Sequence, residues 1–223
     1  DTITVGDTNI VLGTNYSAII GSSHDISRNT YGTLSSGKSH KEWKGRFNIT
    51  GGESNQIVNS SNMTIGGISN KMVDGSNNLI QGRQNNLTNV YNSSVVGKEH
   101  TVTNNQHTIV GGWDNTVRGE INNFGVLLGE TKGSMVTGYN HSETRGTNNV
   151  IYGDANTSYL SSNNIVGGAS NQLNVAVRTS TNGTLNQITS STDTLANGKS
   201  NVLNAIIETT VLGNSNDISN NTT

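Results

Sequence analysis

The sequence predicts an all-β fold, a β-solenoid of about fourteen 15-residue coils. Three observations predict it: a fixed 15-residue period, two short β-branched or aliphatic runs in each period, and Gly and Asn at the turns between them.

A Gly followed three residues later by Asn or His sets the period. It runs Gly6/Asn9, Gly21/His24, Gly37/His40, Gly52/Asn55, Gly67/Asn70, Gly82/Asn85 and Gly97/His100. It continues at Gly112/Asn115, Gly138/His141, Gly153/Asn156, Gly168/Asn171, Gly183/Asn186, Gly198/Asn201 and Gly213/Asn216. Successive glycines are 15 apart except for one step of 16, Gly21 to Gly37, and one of 26, Gly112 to Gly138. The chain therefore reads as a single domain, 1–223, with an 11-residue insertion within 121–138.

The first strand of each coil is centred two residues before the Gly, at Ile19, Ile65, Ile80, Val95, Val110, Val136, Ile151, Val166 and Val211. The second is centred five residues after it, at Val11, Ile26, Ile57, Met72, Leu87, Val102, Val117, Leu173, Ile188, Leu203 and Ile218. Each strand offers one apolar row, which is buried only when coils stack. The Gly is expected where the chain turns with φ > 0, a conformation that Asn tolerates too. Stacked Asn side chains are expected to exchange amide hydrogen bonds from coil to coil. A second Asn row is read ten residues after the Gly, at Asn62, Asn77, Asn92, His107, Asn148 and Asn163.

Composition excludes several classes. With 30% hydrophobic residues and two Phe, an ordinary enzyme core is disfavoured. Pro is absent, as long hydrogen-bonded ladders require. The net charge of −2 is spread over scattered single charges, so neither nucleic acid nor an anionic membrane is an expected partner. No cysteine is present for a disulfide or a thiolate metal site. No apolar run approaches membrane-spanning length, so a signal or anchor is expected only outside these 223 residues.

The strings Ser94-Val-Val-Gly97-Lys-Glu-His100-Thr-Val102, Thr108-Ile-Val-Gly-Gly112-Trp-Asp-Asn115-Thr-Val117 and Asn164-Ile-Val-Gly-Gly168-Ala-Ser-Asn171-Gln-Leu173 resemble the head repeats of YadA-like trimeric autotransporter adhesins. The resemblance spans nearly the whole chain. It implies a left-handed parallel β-roll, a homotrimeric head and exposure at a bacterial cell surface on an outer-membrane anchor. It also implies a host cell-surface glycoprotein, an extracellular-matrix protein or a carcinoembryonic-antigen-type (CEACAM-type) receptor as partner. No heptad stalk, neck or membrane barrel lies in the sequence, so trimerisation and anchoring rest on the resemblance. A coil this small buries little apolar area, which also favours association.

Several chemical motifs are weak in context. Gly32-Thr-Leu-Ser-Ser-Gly37-Lys38-Ser39 matches a phosphate loop, but Gly37 belongs to the repeat and no strand–loop–helix unit surrounds it. His24 and His40 lie on adjacent coils, where threefold symmetry could gather copies as metal ligands, but they fill a slot that Asn fills elsewhere. His100, His107 and His141 read the same way. The turn acids are too sparse for a calcium-binding β-roll. Glu53, Asp74, Asp154 and Asp217 are isolated, and the Asn-x-Ser/Thr tripeptides are what chance gives in this composition. No cofactor, metal or catalytic residue is expected.

Breaks in the regular pattern are the candidate binding places. The unit around Trp43, Lys44, Arg46 and Phe47 interleaves cations with aromatics; its competing reading is a rearranged piece of core. The insertion contains Phe124, Val126, Leu127 and Leu128, read as a projecting loop or, slightly favoured, as contact between protomers. The row one residue after the Gly carries Ile68, Arg83, Lys98, Trp113 and Tyr139, read as an outward ladder. The expected function is non-catalytic adhesion. The alternatives are a carbohydrate-active solenoid, an ice-binding solenoid or a phage fibre segment.

Overall fold

The computed structural model describes residues 1–121, 127–129 and 131–219. They fall into two compact units, Asp1–Thr103 and Asn104–Thr223, each built on the same plan. No helix occurs among the described residues, and the strands form a parallel β-solenoid of about fourteen turns.

One coil of the first unit shows why the sequence repeats. Strand Thr64–Ile68 lies beside Leu79–Arg83 in the next coil, with Ile65 opposite Ile80 and Gly67 opposite Gly82. Strand Lys71–Ser76 continues the same coil and is flanked by Gln56–Ser61 and Asn86–Tyr91, so that Met72 stands between Ile57 and Leu87. Parallel pairing at a one-period register puts identical repeat positions on top of each other. The Gly is obligatory at its place: φ at Gly67 is 106°, and a Cβ there would come within 1.9 Å of the Gly82 carbonyl oxygen.

Each coil has further left-handed corners, such as Ser69, Asp74 and Asn77 at φ 56°, 54° and 55°. The fixed Asn is not one of them; the residue before it takes the positive φ. Asn70 instead has a buried side chain at 0% exposure. Its Oδ1 accepts the Asn85 N–H at 3.0 Å, and its Nδ2 donates to the carbonyls of Gly66 and Gly82 at 2.9 and 3.0 Å. In the second unit Asn156, Asn171, Asn186 and Asn201 repeat the arrangement. At these Asn positions the polar atoms that burial would orphan find their partners within the coil or in the next one.

The apolar rows are where the period puts them, with Ile65, Ile80, Val95, Met72, Leu87 and Val102 all buried. A third inward row, eight residues after the Gly, was not legible, because it mixes Val90, Ala176 and Ile206 with Ser60 and Ser161, and Thr131 joins it only across the extra residues. The second Asn row also needs correcting by one residue. Asn62, Asn77 and Asn92 sit at exposed left-handed corners, whereas the buried ladder runs one residue later through Asn48 and Asn78 in one unit and Asn149 and Asn164 in the other. There, for example, the Asn164 Oδ1 accepts the Thr179 N–H at 2.7 Å.

The extra length in the second unit lies between Arg118 and Thr131. Arg118 pairs with Thr144, while Thr131 pairs with Asn105, so residues 119–130 stand where a regular coil has one residue, as Asn59 stands between Val58 and Ser60. Within this stretch Glu120–Ile121 pairs antiparallel with Leu127–Gly129.

Candidate functional site

In the first unit the coil from Gly37 to Gly52 carries most of the chemistry. Strand Lys41–Trp43 exposes Lys41, buries Glu42 and half-buries Trp43. Lys44 and Phe47 then occupy left-handed corners at φ 54° and 52°. Arg46, between them, bridges to Tyr31 in the preceding coil and to Ser61 in the following one. Lys44, Arg46 and Phe47 are therefore brought together on the outside, joined by Tyr31 and Tyr16. Ring centroids are 5.3 Å apart for both Tyr16–Tyr31 and Tyr31–Phe47, each pair edge-to-face.

Two adjoining clefts open here. One, of about 400 Å³, is lined by Gly13, Asn15, Thr30, Tyr31, Arg46 and Phe47. The other, of about 350 Å³, is lined by Lys44, Arg46, Asn59, Ser60 and Ser61, so Arg46 is common to both. Trp43 lines neither. Tyr31 was missed because the 16-residue step hides its register: it is ten residues after Gly21 but pairs with Asn15, nine after Gly6.

The row after the repeat Gly behaves differently. Arg83 and Lys98 are ladder partners, as are Arg83 and Ile68. Their charges are engaged locally: Lys98 lies 3.1 Å from Glu99, and the Arg83 Nε donates to the Gln84 Oε1 at 3.1 Å. In the second unit Trp113 and Tyr139 are ladder partners with centroids 5.6 Å apart at 82°, both nearly half exposed. The backbone of Leu127 lies in the short antiparallel pair of the insertion. Phe124 and Val126 lie outside the described residues.

Two carboxyl groups occupy slots in the apolar row. Glu42 and Glu143 are 1% and 0% exposed, one in each unit, in the matching strings His40-Lys-Glu42-Trp-Lys44-Gly45 and His141-Ser-Glu143-Thr-Arg145-Gly146. Glu42 Oε1 accepts from Thr33 Oγ1 at 2.8 Å and Asn48 Nδ2 at 2.7 Å. Glu143 Oε1 accepts from Ser134 Oγ at 2.9 Å and Asn149 Nδ2 at 2.8 Å. The glycines make room, since a Cβ at Gly146 would sit 2.0 Å from Glu143 Oε1. In both residues Oε2 has no partner. Burial raises both pKa values, that of Glu143 to about 7, against the opposing pull of the Asn and hydroxyl donors. These groups are sealed from solvent and act on stability rather than on a ligand.

The histidines are ladder members. His40 Nδ1 accepts the Asn55 N–H at 3.3 Å while Nε2 faces the Ser36 carbonyl at 2.9 Å; His141 repeats this with Asn156 and Thr137 at 3.1 and 3.0 Å. The ring thereby reproduces what Asn Oδ1 and Nδ2 do elsewhere, as a neutral imidazole with its proton on Nε2. Burial holds His24, His40 and His141 below the ordinary imidazole pKa. His24 and His40 stack at 5.0 Å. His107 does not belong to this ladder; it occupies an exposed corner at φ 53°. Gly37 and Lys38 lie in strand Leu34–Lys38, followed by strand Lys41–Trp43, so the phosphate-loop motif lacks its helix. A scan against protein-family models finds no match to the chain, and a search of curated proteins finds none.

Proposed function

We propose that the chain is the non-catalytic head of a bacterial surface adhesin of the YadA-like trimeric autotransporter kind. In this reading it folds as a left-handed β-roll, assembles as a homotrimer and is displayed from the outer membrane to meet a host-cell, matrix or microbial surface receptor. The observation that carries the reading is the exposed group of Tyr31, Lys44, Arg46 and Phe47 on a frame whose interior polar atoms are largely taken up by ladders. Recognition on repeat scaffolds concentrates at such departures from the repeat. The trimer is supported by an apolar column three residues before the Gly: Ile3, Leu34 and Ile49 in one unit, and Ile109, Met135, Val150 and Ile165 in the other, all well exposed. Association between copies would cover these strips.

Light scattering of the purified chain is expected to give three copies per particle. Beads coated with it are expected to attach to epithelial cells or matrix-coated surfaces, and Phe47→Ala with Arg46→Gln to reduce attachment. A monomer whose beads attach to none of these surfaces defeats the proposal.

A further inference from the structure

The double cleft around Arg46 has a chemistry that narrows its ligand, and the inference rests on the adhesin reading above. It forms at the irregular coil. Strand Asp25–Tyr31 pairs with Ile10–Asn15 through Leu12–Ser27 and Thr14–Thr30, so two residues face the single Gly13. Such a bulge interrupts the ladder and re-aims the residues beyond it. Here it moves Tyr31 into line with Asn15 and Arg46. Gly32 then completes the wall: at φ 66° and without a side chain, it leaves room for the Phe47 ring, whose Cδ1 would lie 2.7 Å from a Cβ at that position.

The corner residues point the same way. Further along the unit this left-handed corner belongs to Asn62, Asn77 and Asn92, the residue type that after glycine adopts it most readily. Tyr16 and Phe47 take it instead, at φ 53° and 52°, and are 65% and 57% exposed. Both rings pack edge-to-face on Tyr31 and otherwise stay exposed, within reach of a ligand.

The other described lining residues are small and polar: Gly13, Asn15, Thr30, Asn59, Ser60 and Ser61. They offer amides and hydroxyls, and among the described lining residues no aliphatic side chain stands beside the rings, whereas a protein hot spot would be expected to seat its anchor in a fuller apolar pocket. Among the described residues neither Lys44 nor Arg46 forms an ion pair. The carboxylate of Asp74, two coils away from Lys44, is engaged by the Asn59 Nδ2 at 2.6 Å. An Arg fork beside exposed rings suits a carboxylate or sulfate carried on a ring that presents C–H groups to the aromatics.

We propose that this double cleft binds an acidic oligosaccharide, one sugar packing against Tyr31 and Phe47 and its carboxylate or sulfate held by Arg46, with Lys44 meeting the next anionic group. Each cleft lies within the few-hundred-Å³ range of small-ligand sites, and the two are adjacent along the coil stack, as successive units of a chain ligand require.

The test is titration calorimetry of the full chain with a sulfated heparin hexasaccharide, a hyaluronan hexasaccharide, neutral lactose and polyglutamate. At least one acidic saccharide is expected to bind at least ten times more tightly than lactose or polyglutamate; binding of hyaluronan shows that a carboxylate suffices, and binding of the heparin fragment alone shows that sulfate is needed. Phe47→Ala and Arg46→Gln are each expected to weaken that binding at least tenfold, while Arg178→Gln, on an exposed Arg of the second unit, leaves it unchanged. Both variants alter exposed side chains, and an unchanged circular dichroism melt verifies their fold. Binding of neither acidic saccharide, equal binding of lactose or polyglutamate, or full binding by the Phe47 variant overturns the inference. Beads that still attach to cells while the chain binds no acidic saccharide overturn this inference alone; saccharide binding without attachment overturns the adhesin reading instead.

Discussion

Replacing Glu143 by Gln removes one buried ionisable group while keeping an oxygen for Ser134 and Asn149. In the folded chain Glu143 holds its proton up to about pH 7, because burial disfavours the carboxylate. In the unfolded chain it loses the proton near the ordinary value of about 4.3. Between those two values the folded state binds more protons, so stability is fully present below about 4.3, falls as pH rises and levels off above about 7. The interval is roughly two and a half pH units at about 1.4 kcal/mol each, giving a loss of about 3.5 kcal/mol attributable to this residue. Denaturant unfolding followed by circular dichroism at pH 4, 6 and 8, at one protein concentration, would measure it. Taking wild type minus variant at each pH cancels Glu42, whose burial acts in the same direction, and the buried histidines, which act in the opposite one. The variant is expected to gain on the wild type by about 3.5 kcal/mol between the acid and alkaline ends. A difference that does not change with pH would refute the reasoning.

Gly67→Ala brings a methyl against the Gly82 carbonyl at a positive φ, and is expected to cost more than about 4 kcal/mol, read as loss of the cooperative melt. Asn171→Ala strips partners from the Asn186 N–H and the Gly183 carbonyl and should cost at least about 2 kcal/mol in chemical denaturation. Asn171→His should recover much of that loss, since His40 and His141 fill the same slot; a His variant no better than the Ala variant would contradict the ladder account. Thr181 has a buried, unpartnered Oγ1 and stands between Val166 and Ala196, so Thr181→Val is expected to stabilise by about 1 kcal/mol in the same assay.

The period, the two apolar rows and the Asn ladder were legible because each depends only on repetition. A parallel register of one period places every residue on its own counterpart, so a row in the sequence is a row in space. Ile80 between Ile65 and Val95, or Asn171 between Asn156 and Asn186, comes from counting. The third inward row was not legible, since Ser60, Val90 and Ala176 share a position but no hydropathy. Nor was the corner geometry, because which residue of a Gly-x-x-Asn turn takes the positive φ depends on how the stacked carbonyls are satisfied.

At the candidate site the sequence by itself determined that Trp43, Lys44, Arg46 and Phe47 break the repeat, and that Glu42 stands where an apolar residue belongs. The tertiary structure decided where each of these side chains goes. It sealed Glu42 inside, left Trp43 off both clefts, and drew Tyr16 and Tyr31 from earlier coils to Arg46 and Phe47. For Tyr31 the physical reason is the single extra residue between Gly21 and Gly37, which sets it beside Asn15 and Arg46. Where the count keeps the period, every side chain ladders predictably; a bulge shifts the residues beyond it into a column that only the folded pairing reveals.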